Sequence, residues 1–243
     1  NNHPRPTEQP YSLSIGLPTD NQMTNADLAQ RANECLGTGT PAAKRTPEQA
    51  QKLKTIVDVL KMPENSVLGH LNWGTFALQD VVSKNGGSSP FGNAGVRYVG
   101  SADDVKLNAS IPRFVADPKA TAKFSADVNH QGRFAVPVIS SHAINDSTVF
   151  VEGQDVLRQK MKMAGKDQQL VQTFVDSREH SYWGDAHYPP LFNALLDWVE
   201  KGQKPSAADI DQRCKQLSSA KPADCRFLPN YEVKPIASRI YPR

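Results

Sequence analysis

The chain has 243 residues, with 28 basic and 25 acidic side chains, a net charge of +3 and 38% hydrophobic residues. That length can bury a sizeable core, while a mean hydropathy of −0.53 and apolar runs only a few residues long exclude a fibrous, collagenous or membrane-spanning chain. Basic and acidic residues are mixed along the sequence rather than gathered in a block, so there is no electrostatic footprint for nucleic acid.

In chain order, residues 1–23 carry Pro4, Pro6, Pro10 and Pro18 and read as an extended N-terminal segment. The chain opens Asn1-Asn2-His3, without methionine and without a basic-apolar signal segment, which reads as a processed product whose own N-terminus lies upstream. Residues 24–133 read as mainly helical. A first helix spans Thr24 to Leu36. In the second, Thr46-Pro47-Glu48-Gln49 combines an N-cap, proline at the first helical position and glutamine at the third, and Leu53, Ile56, Val57 and Leu60 follow at helical spacing before Pro63. A third helix is predicted between Val67 and Val82. Another starts near Ser101 with Asp104 as its capping partner, and Asp117-Pro118 opens one more. Gly86 to Pro90 is a loop.

The pattern changes at Phe134. Ala135 to Ser140 is a β-branched run, Val151 to Gly165 a helical segment, Leu170 to Val175 a second β-rich run, and Pro190 to Lys201 an amphipathic helix. Strand, helix, strand, helix with short connections predicts a parallel sheet, whose ligands gather at the carboxyl ends of its strands. Residues 203–243 read as an extended tail. Cys214 and Cys225 are expected to bridge there and close a short loop worth about 3 kcal/mol. Phe227, Leu228, Tyr231, Val233, Ile236 and Ile240 supply enough apolar surface for the tail to wrap the body. Cys35 is then either a buried thiol or half of a bridge to another segment or chain. No Cys/His spacing points to zinc.

The segments after the two predicted strands carry the chemistry. Ser141-His142-Ala143-Ile144-Asn145-Asp146-Ser147-Thr148-Val149 follows one strand, and Asp176-Ser177-Arg178-Glu179-His180-Ser181-Tyr182-Trp183-Gly184 follows the other. An aspartate and a histidine at adjacent strand ends can meet by a side-chain hydrogen bond. In a hydrolytic triad the carboxylate fixes the imidazole tautomer, and the second ring nitrogen takes the nucleophile's proton. Asp146 and His180 are the candidate catalytic pair. Asp146 equally suits a cap for the following helix, His142 suits a structural role at the strand end, and His187 competes as the base. Tyr182, Trp183 and Trp73 either line a substrate pocket or pack between lid and sheet.

The segment His142 to Val149 resembles the His-Gly-x-x-Asp-x-x-Val segment that carries the acid in α/β-hydrolases, with Ala143 where that family usually has glycine. Glu179-His180 resembles the turn that carries the family's catalytic histidine, and Leu191 to Lys201 resembles its last helix. The likeness covers Phe134 to Gly202. Gly95 to Pro118 resembles, more weakly, the helical lid of extracellular esterase-like members. It implies an α/β fold comprising the second half of an α/β-hydrolase parallel sheet (134–202), a helical lid or cap (24–133) and a disulfide-containing tail (203–243). It also implies a secreted or periplasmic serine esterase working through an acyl-enzyme on a small-molecule or polymeric ester, with no metal or organic cofactor. No Gly-x-Ser-x-Gly elbow is present, so the nucleophile is expected on an N-terminal fragment or second chain. Two alternatives stay open: a non-catalytic binding module that keeps the architecture, and a peptidase or amidase of the same fold.

Overall fold

A computed structural model describes residues 13–238 and the backbone of 241–242; Pro4, Pro6, Pro10 and Ile240, on which the expectations for extended ends partly rest, lie outside the described residues. The chain divides into two compact units, one of residues 13–129 with 241–242 and the other of residues 130–238.

In the first unit, helix α1 (Asn25–Leu36) begins at Thr24, whose hydroxyl accepts from the Asp27 N–H while the Asp27 carboxylate accepts from the Thr24 N–H, a reciprocal cap. It stops at Gly37, which takes φ 66°, a conformation glycine adopts without penalty. Helix α2 (Pro47–Leu60) repeats the device with Thr46 and Gln49. Helix α3 (Val67–Lys84) runs two residues beyond the predicted Val82. Leu36, Leu53, Met62 and Val67 bury together, with Cys35, Ile56 and Val57 against them. The two-residue strand β1 (Val96–Arg97), which local pattern does not reveal, pairs antiparallel with Tyr241–Pro242. Helix α4 (Asp104–Ser110) is capped by Asp103; the Asp104 carboxylate instead accepts from the N–H groups of Gly100 and Ser101 and from the Ser101 hydroxyl. Helix α5 (Pro118–Val128) is capped by Asp117 as predicted.

The second unit is a mixed α/β assembly whose parallel sheet has, among the described residues, two strands, β2 (Val138–Ala143) and β3 (Leu170–Val175). The wider hydrolase sheet is not among them. The strands pair from Val138↔Leu170 to Ala143↔Val175. The predicted strand Ala135 to Ser140 therefore starts three residues too early. Pro137, with no N–H to donate, ends the extended lead-in, and pairing starts at the next residue. Helix α6 (Gly153–Met163) makes the crossover, with Gln172 Nε2 of β3 donating to the Gln154 carbonyl at 2.9 Å. The alternate residues Val171 and Val175 face the other way, as the two-residue period of a strand requires. They pack with Ala194 and Trp198 of helix α7 (Tyr188–Lys201) and Ile210 and Cys214 of helix α8 (Ala207–Leu217).

Helix α8 corrects the reading of 203–243 as an extended tail throughout. Ser206 and Asp209 form a third reciprocal cap, and Ile210 and Cys214, one turn apart, are completely buried. Cys214 bonds Cys225 as expected, while Cys35 is half-buried and outside any disulfide among the described residues. Beyond Cys225 the chain lies along β3: Leu228 N–H donates to the Phe174 carbonyl at 2.8 Å, and Asp176 N–H to the Arg226 carbonyl at 2.9 Å. No helix among the described residues is long and apolar enough to cross a membrane.

Candidate active site

Because β2 and β3 are parallel and end opposite one another, their carboxyl-terminal loops leave the sheet side by side. The loops stay zipped past the last ladder pair: Ile144 N–H donates to the Val175 carbonyl at 3.0 Å and Asn145 N–H to the Ser177 carbonyl at 3.1 Å. The next residue on the β2 side is Asp146.

Asp146 is buried and uses its two oxygens differently. Oδ1 accepts from the backbone N–H groups of Thr148 at 2.7 Å and Val149 at 3.1 Å, which locks the turn. Oδ2 accepts from His180 Nδ1 at 2.8 Å. The capping role and the histidine-orienting role coexist, although the cap closes a turn rather than starting α6. Burial alone would push the Asp146 pKa upward. The hydrogen bonds from His180, Thr148 and Val149 outweigh it and hold the carboxyl below its ordinary 3.8. Asp146 is thus an anion at neutral pH, and an anion at Oδ2 requires the proton on His180 Nδ1. On the neutral ring, Nε2 is then the nitrogen with the lone pair. It makes no hydrogen bond among the described residues, and the His180 side chain is 47% exposed.

Two further histidines of this unit, His142 and His187, are occupied. His142 Nδ1 lies 2.9 Å from the Ala143 carbonyl, and its Nε2 is 4.0 Å from Asp146 Oδ2. His187 is completely buried. Its Nε2 accepts from the Arg226 N–H at 3.1 Å and its Nδ1 faces the Gly184 carbonyl at 3.3 Å, so neither nitrogen is left to act as a base. Burial, only partly opposed by the Gly184 hydrogen bond, pushes its pKa down. His187, the competing base in the sequence, is a structural residue.

The aromatic candidates divide between the units. Trp73 lies on α3 of the first unit, 67% exposed, and shares no unit with the Asp146–His180 pair. Tyr182 and Trp183 follow His180 directly. The Tyr182 hydroxyl donates to Asp185 Oδ1 at 2.6 Å, and this bond to an anion raises its pKa. Trp183 Nε1 donates to the Glu179 carbonyl at 2.9 Å. Both rings stack on Tyr188, at centroid distances of 5.9 and 6.0 Å. Tyr188 and Arg226 carry no motif of their own; the signal that could have pointed to Arg226 is its place beside a bridged cysteine.

Ser140 and Ser141 precede the acid, and Ser181 follows the base. The Ser140 hydroxyl donates to Gln154, the Ser141 hydroxyl is buried without a partner, and the Ser181 carbonyl accepts from Tyr188. None of them hydrogen-bonds His180. No cluster of three or more His, Cys, Asp or Glu side chains among the described residues is arranged to hold a metal ion. No protein family, no curated protein and no solved structure matches the chain.

Proposed function

We propose that this chain is the acid-and-base half of a serine hydrolase of the α/β-hydrolase kind, cleaving an ester through an acyl-enzyme. The observation that carries the reading is the 2.8 Å bond between Asp146 and His180 at the ends of adjacent parallel strands. In this reading a serine on another polypeptide segment attacks the ester carbonyl. His180 Nε2 takes the serine proton and returns it to the leaving alcohol, and a water activated by the same nitrogen then releases the acid. Asp146 holds the ring in the tautomer with Nδ1 protonated and stabilises the imidazolium formed at each step. The chemistry needs no metal or organic cofactor.

Two features support a partner that supplies the nucleophile. The edge of β3 is covered by residues after Cys225, whereas β2 pairs only with β3 among the described residues, leaving a row of backbone groups able to take up another strand. On α7, Phe192, Leu196 and Val199 recur at helical spacing and are exposed. The Cys214–Cys225 disulfide supports a secreted or periplasmic site of action. Hydrolysis of a nitrophenyl ester is the test. The 243-residue chain alone is expected to be inert, and the polypeptide completed by the nucleophile-bearing segment active. Full turnover by the chain alone would refute the division of labour, and no turnover by the completed protein would favour a binding module.

A further inference from the structure

The loop that carries His180 is fastened at three points by one residue far from it in sequence. Arg226 Nη1 donates to the Asp176 carbonyl at 3.1 Å where the loop leaves β3, Nη2 donates to the Trp183 carbonyl at 2.8 Å just past His180, and the Arg226 N–H donates to His187 Nε2 at 3.1 Å where α7 begins. Arg226 is itself fastened, because Cys225 is bonded to the fully buried Cys214 of α8 and Phe227 bridges to Val175. The planar guanidinium spans two carbonyls with a geometry a single ammonium does not reproduce.

From Trp183 the restraint passes on to the histidine. The Trp183 indole N–H holds the carbonyl of Glu179, the residue before His180, at 2.9 Å. The Tyr188 hydroxyl, stacked beside the indole, donates to the carbonyl of Ser181, the residue after it, at 3.2 Å. Both peptide neighbours of His180 are thereby fixed, while the His180 ring itself, half exposed, has Asp146 as its only hydrogen-bond partner among the described residues.

We infer that Arg226, acting through Trp183, is a positioning residue that keeps His180 against Asp146. The inference rests on the proposed hydrolase reading for its consequence to catalysis, but not for its test. It also gives Trp183 a part as a strut, whether or not a substrate touches it.

The test is nitrogen NMR of the 243-residue chain labelled with ¹⁵N-histidine, at mildly alkaline pH, with His180 assigned through His180→Ala. The native chain is expected to show His180 protonated at Nδ1. In Arg226→Ala, and in Trp183→Phe, which keeps an aromatic ring but loses the indole N–H, most of the population is expected to move to the Nε2-protonated form that free imidazole prefers. Arg226→Lys, which can satisfy one carbonyl at a time, is expected to give a mixture. Arg213→Ala serves as the control, because it removes an ion pair between α7 and α8 at 2.6 Å without touching the loop, and it is expected to leave the His180 signal unchanged. A folded Arg226→Ala chain with the native His180 signal would overturn the inference. If that variant does not fold, a native signal in Arg226→Lys overturns it and a mixture supports it. Esterase activity is not read, so failure of the hydrolase proposal and failure of this one are separately visible.

Discussion

Reducing the Cys214–Cys225 disulfide is expected to weaken the second unit selectively. The bridge spans a sequence separation of 11, and on the chain-entropy relation a closed loop of that size removes about 9 cal/mol/K from the unfolded ensemble, or about 3 kcal/mol at room temperature. Both sulfurs also sit in the core formed by Val175, Ala194, Trp198, Ile210 and Phe227, so separating them costs packing as well. The assay is urea unfolding with and without a phosphine reductant. In a Trp73→Phe background, fluorescence of Trp183 and the buried Trp198 follows the second unit, and helical circular dichroism follows both. The expected result is a fall of about 3 kcal/mol in the transition seen by Trp198, with any separate transition of the first unit unchanged, since its only cysteine is the free Cys35. A fall below about 1 kcal/mol would refute the entropic reasoning and show that packing holds residues 214–225 together in the unfolded chain as well.

His187 is buried with a depressed pKa, so the unfolded chain takes up its proton first as pH falls. The stability it contributes is present in full above its ordinary 6.5 and is lost as pH drops below that value toward the folded pKa. Urea midpoints against pH are expected to decline less below 6.5 in a folded His187→Gln variant than in the native chain. Gly132→Ala is expected to destabilise the second unit by more than about 1 kcal/mol in the same assay. Gly132 has φ +68°, and a Cβ there would lie 2.4 Å from the Lys160 carbonyl carbon. Thr46→Ala, which removes one half of a reciprocal cap, is expected to cost about 1 kcal/mol in the first unit and nothing in the second.

What could be read without coordinates follows the range of the forces involved. The caps of α1, α2 and α5 are contacts within three residues, so Thr24, Thr46 and Asp117 announce their helices in the sequence. The same signature stands at Ser206 and Asp209, but α8 is masked by the polar run around it, which leaves just Ile210, Asp211 and Cys214 buried. β1 is two residues long and its partner is at the far end of the chain, so no local pattern encodes it. The pairing of Asp146 with His180 was legible from the strand order together with the likeness of their segments to hydrolase motifs, while the Arg226 fastening spans 43 positions to Trp183 and leaves no periodic trace.

The most direct test of the central claim is ester turnover by the polypeptide completed with its nucleophile-bearing segment, compared across His180→Ala, Asp146→Asn and a folded His187→Gln. The account predicts a loss on the order of thousandfold or more in kcat for His180→Ala. It predicts a sharp loss for Asp146→Asn, in which the amide favours the wrong tautomer, with KM little changed, and a far smaller loss for His187→Gln than for His180→Ala. Native turnover in His180→Ala would contradict the account.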